Sequence, residues 1–153
     1  MAGRSYMLLP HLETLSKLPQ LKILILGAGL DLEKKFVPEF TELSAILWNT
    51  TTEFHIVDHS QKVLDVLLNN KSYHLPEKQQ RLTNDAEEMQ ERYLKYVTDL
   101  AVNTEGSTLT IPFPNPKHNI KTFNCDFTAF EYNNESYDAI IALNSVFYLF
   151  NNP

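Results

Sequence analysis

Gly27-Ala28-Gly29, Asp58, Asp126 and Asn144 each stand at the end of a segment that reads as a strand, and each brings a different chemistry to that position. Glycines let a backbone approach a bound molecule with no Cβ in the way. The Asp58 carboxylate is an acceptor of the kind that can take both hydroxyls of a ribose, and Asp126 can accept from the amino group of an adenine. Asn144-Ser145 add polar groups at the fourth position. Plainer roles stand beside these. Gly27-x-Gly29 also suits a tight strand-to-helix turn, Asp58 a helix cap, Asp126 a turn, and Asn144 a bond to its own backbone.

The elements that must hold these residues are legible in the hydrophobic pattern. Residues 4–18 carry Tyr6, Leu8, Leu9, Leu12, Leu15 and Leu18 at mostly helical spacing, and Pro19 ends that run. Leu21–Leu26 is nearly continuous Leu and Ile, the mark of a parallel strand buried on both faces. Phe36, Phe40, Leu43 and Leu47 recur at helical steps, with Pro38 at a helix start. Glu53–Asp58 reads as a second strand, and Ser60 as the cap of a helix through Val63, Val66, Leu67 and Leu68. The βα rhythm then breaks. Leu82, Ala86, Met89, Tyr93, Tyr96, Val97 and Leu100 form the stripe of a long amphipathic helix, and Pro112, Pro114 and Pro116 keep the next segment extended. Ile120–Asn124 is a third strand and Tyr137–Leu143 a fourth, with a turn at 133–136 between them. In an open parallel sheet the carboxyl ends of the strands share one edge, where ligands bind at the switch in strand order.

Composition narrows the function. With 43% hydrophobic and 21% charged residues the chain is an ordinary globular sequence rather than a disordered one. A net charge of -6 argues against a dedicated nucleic-acid binder, which needs clustered Lys and Arg. The lone Cys125 cannot form an internal disulfide, and the five histidines are scattered, so no metal site is expected. No apolar run reaches the roughly 18 residues a membrane span needs, and the start is too short in apolar residues for a signal peptide. The expectation is a cytoplasmic protein.

Leu21–Gly29, Phe54–Ser60, Asn124–Phe127 and Ser136–Leu149 resemble, in order, the successive motifs of class I S-adenosylmethionine-dependent methyltransferases. Asp126-Phe127, then Phe130-Glu131-Tyr132, then Tyr137–Ala142 and Val146–Leu149 look like that family's adenine motif running into its fourth strand. The resemblance covers about residues 21–150. It implies an α/β, Rossmann-like open parallel sheet of about four strands in the order 3-2-1-4, flanked by helices. Residues 1–153 would be a single domain cut short before its C-terminal strands, a piece of a longer protein, with a helical insertion at 72–118. S-adenosyl-L-methionine is the implied cofactor. Gly27, Ala28 and Gly29 would line its amino-acid moiety and Asp58 hold the ribose diol. His59 would flank the adenine, Asp126 meet its amino group, Phe127 lie beside the ring, and Asn144 face the methyl group. The implied reaction is methyl transfer to an acceptor that the sequence does not identify, with no catalytic base assigned.

Two positions depart from the family pattern. Ile25 stands where an acidic residue usually precedes the first glycine, and Asp31 stands where a third glycine often follows. Asp31 could take over contact with the cofactor's ammonium. An NAD-type site fits less well, because residue 32 is Leu where the dinucleotide fingerprint wants glycine. The departures and the long inserted helix support an alternative from another class: a methyltransferase-like fold without catalysis, acting as a protein interaction module. The exposed fourth strand or the inserted helix would then meet a protein partner or a second copy.

Overall fold

The computed structural model describes residues 5–29, 37–69, 71–76, 83–132 and 136–142. Asp31 and Asn144 lie outside the described residues. A 3-10 turn over Ser5–Leu8 leads into α1 (Leu9–Leu15). Next come β1 (Gln20–Leu26), α2 (Pro38–Ile46), β2 (Thr51–Asp58) and α3 (Gln61–Asn69). The segment between α3 and the next long strand holds β3 (Ser72–His74), α4 (Asn84–Leu100), β4 (Asn103–Glu105) and β5 (Thr108–Thr110). The last described elements are β6 (His118–Asn124) and β7 (Ala139–Ala142).

Among the described residues the main sheet is parallel throughout and has four strands in the order β6-β2-β1-β7. Counted along the chain this is 6-2-1-7 and not the 3-2-1-4 expected, because three short strands come before β6 and make a sheet of their own. That second sheet is antiparallel, in the order β3-β5-β4. The 72–118 segment is therefore a helix plus a small sheet, and not helical alone. Its β5-β4 hairpin turns at Gly106-Ser107, two residues between Glu105 and Thr108, with Gly106 at φ 61°.

Alternation along β1 and β2 sends side chains to two faces. Ile23, Ile25, Phe54 and Ile56 join the main core with Phe40, Leu43 and Leu47 of the α2 region, Leu64 and Leu67 of α3, and Tyr93 of α4. Leu24 and Val57 point the other way, onto Phe127, Phe123, Phe130, Tyr132 and Tyr137. Both faces being covered explains why these strands read as unbroken apolar runs. Helix α2 is buried almost all round, with only Thr41 partly exposed, as suits a helix held between the sheet and α4. Helix α4 turns Gln90, Tyr93 and Val97 inward, the spacing of one helical face. Among the described residues no helix is long and apolar enough to cross a membrane.

Candidate site at the carboxyl edge of the parallel sheet

Register brings the strand ends to one level. Leu26 stands beside Val57 on one side and Ala142 on the other, and Val57 and Asp58 pair with Phe123 and Asn124. The chain leaving β1 is thus flanked by the ends of β2 and β7, with the end of β6 next along. Gly27 prolongs the pairing, donating its N–H to the Val57 carbonyl at 2.8 Å. Gly27 and Gly29 have φ of 81° and 71°, the left-handed region in which a side chain would be strained.

Asp58 joins this loop to β2. Its carboxylate is buried and accepts the Ala28 N–H through Oδ2 at 3.2 Å and the Ser60 N–H through Oδ1 at 2.8 Å. Ser60 in turn accepts the Val63 N–H at 3.4 Å, so one short run ends the strand and starts α3. Asn124 donates to the Asp58 carbonyl at 3.2 Å, tying the end of β6 to the same point. His59 is largely exposed, with Nδ1 3.7 Å from Asp58 Oδ1.

Asp126 is exposed and accepts from Thr128 twice, from the backbone N–H at 2.8 Å and the hydroxyl at 2.7 Å. Those two Thr128 bonds, with the nearby charge of His59, hold its carboxyl below the usual range. Phe127 lies 8% exposed in the core against Leu24 and Val57, which makes it a floor under this edge rather than a face open to a ligand. The Tyr132 hydroxyl donates to the Phe127 carbonyl at 2.7 Å and folds the loop back on itself.

The structure thus brings together Gly27, Ala28, Gly29, Asp58 and His59, with Asp126 close enough for His59 to act on its charge. It adds Glu39, which the sequence reading passed over. Glu39 is 5% exposed, and its Oε2 lies 2.8 Å from where a Cβ on Gly29 would sit. A carboxylate directly after Pro38, in the first turn of a helix entered from the glycine loop, was the signal available in the sequence. Ile25, where the resemblance led to the expectation of an acid, is fully buried in the main core. A separate groove over the helical layer, lined by Val37, Phe40, Ser44, Trp48, Lys71 and Phe113 among others, includes none of the strand-end residues. Among the described residues no group of three metal-capable side chains is gathered. No protein-family model, no curated protein and no solved structure matches this chain.

Proposed function

We propose that this carboxyl edge, in a Rossmann-like fold, binds S-adenosylmethionine and forms the cofactor-holding part of a methyltransferase. The observation that carries this reading is the register of β1, β2 and β6, which sets Gly27, Asp58 and Asn124 side by side on one edge. The residues present fit the group. Each Asp58 oxygen has taken one backbone N–H and retains a second lone pair for a ribose hydroxyl. Gly27–Gly29 would lie along the amino-acid moiety, and His59 and Asp126 would flank the base. Asp58, Asp126 and Glu39 make the surroundings acidic, which favours a sulfonium and an ammonium and opposes a pyrophosphate. Glu39 brings to the loop the carboxylate that Ile25 does not supply.

Bound there, the cofactor supplies an electrophilic methyl group. The chain's own share is to fix the adenosyl group and keep the methyl aimed at the acceptor, since holding reactants in near-attack geometry accounts for much of such a rate enhancement. Calorimetric titration with S-adenosylhomocysteine tests the reading. Saturable heat is expected, and Asp58→Ala should weaken binding by about 1–3 kcal/mol, the scale of a lost buried hydrogen-bonded carboxylate. No heat with millimolar ligand and folded protein overturns it.

Two observations favour a second reading, a non-catalytic fold serving as an interaction module. Asp58 already has a complete local role, closing the glycine loop and capping α3. β7, at the margin of the sheet among the described residues, also leaves Ile140 59% exposed. Folded protein that ignores the nucleoside and self-associates unless Ile140 is made polar would favour this reading.

A further inference from the structure

Helix α2 buries two glutamates one turn apart, and they face different parts of the molecule. Glu39 lies under the glycine loop, its carboxylate against Gly29. Glu42 faces the 72–118 segment and accepts hydroxyl bonds from Tyr73 of β3 and, at 3.0 Å, from Tyr93 of α4. One carboxyl group therefore holds both the small sheet and the long helix of the insertion to the main domain. Residues three apart on a helix are surface neighbours, so the charges of Glu39 and Glu42 act on each other.

We propose that α2 couples the glycine loop to the protonation of Glu42, so that a cation held at the loop and a proton on Glu42 compete. The coupling rests on the reading of that loop as a site for the ammonium-bearing end of S-adenosylmethionine. A positive charge over Gly29 offsets the field of Glu39 and makes an ionised Glu42 easier to bury. The ionised carboxylate is the stronger acceptor for Tyr73 and Tyr93, so ligand binding also tightens the insertion onto α2.

The titratable groups acting on Glu42 are Tyr73, Tyr93 and Glu39. Burial pushes the Glu42 carboxyl up to about 7, Glu39 pushes the same way, and the two tyrosine hydroxyls pull it down. Both tyrosines are pushed far upward by burial and by Glu42, and remain protonated throughout. Glu42 thus titrates near neutrality.

The test is calorimetry with S-adenosylhomocysteine, whose ammonium stays charged over the range, at pH 6 and pH 8 and in buffers of different protonation enthalpy. Binding is expected to be about fivefold tighter at pH 8, with proton release near pH 7. Glu42→Gln should still bind but lose both the pH dependence and the proton release. Tyr93→Phe, which removes one of the hydroxyls that lower Glu42, should move the midpoint upward. Wild-type affinity that is flat with pH, or a wild-type slope retained by Glu42→Gln, overturns the coupling and leaves the site standing. No binding at any pH overturns the site and the coupling together.

Discussion

At the scale of residues, the buried carboxyl group of Glu42 ties the stability of this protein to pH. Glu42 is buried with its carboxyl pushed up to about 7 from an ordinary value of 4.5. Its folded pKa lies above its unfolded one, so its contribution to stability is fully present below about pH 4.5 and is lost as pH rises toward 7. The loss is on the order of 3 kcal/mol. Chemical denaturation should therefore show stability falling between pH 5 and pH 8, and Glu42→Gln should flatten that fall. Gly29 makes a second residue-scale prediction. Its φ of 71° strains any side chain, and with 2.8 Å from its would-be Cβ to Glu39 Oε2 the end of the Glu39 side chain must also give way. Gly29→Ala should cost about 1–3 kcal/mol, read as a lower denaturation midpoint. A variant as stable as the parent would mean that the loop and Glu39 separate readily.

At the scale of elements, helix ends and strand registers position the site. Thr83 caps α4 by accepting the Ala86 N–H at 3.3 Å, and Tyr93 and Val97 then fix that helix to the core. Thr83→Ala should lower stability by about 1 kcal/mol; no change in the midpoint would mean that docking alone sets where α4 begins. Periodicity made the parallel strands and helices α2, α3 and α4 readable, because runs such as Leu21–Leu26 and stripes such as Tyr93–Val97 reflect burial directly. The small sheet was missed for a physical reason. Its strands are three residues each, too short to show a period of two even where Tyr73 and Leu109 are buried, and β4 is exposed along its length. Asp58 was legible as a strand-end carboxylate that also serves the following helix. Its bond to the Ala28 N–H was not, since it crosses 30 residues of sequence. The resemblance put Phe127 beside a ligand's ring, and its apolar bulk packs into the core against Leu24 and Val57.

At the scale of the molecule, the parallel sheet gathers strand ends from distant parts of the chain onto one edge, the edge at which we propose that a nucleoside binds. The main core on the helical side holds the sheet rigid. Phe54 is fully buried there and meets Phe40 with ring centroids 5.1 Å apart. Phe54→Ala should remove about 3–5 kcal/mol, checked by chemical denaturation. The central claim is that three strand ends act as one site, and amide chemical-shift mapping during titration with S-adenosylhomocysteine tests it most directly. The account predicts that the amides of Ala28, His59 and Asp126 shift together and saturate with a single dissociation constant. Shifts confined to one strand end, separate dissociation constants at the three, or no shifts at saturating ligand would contradict it.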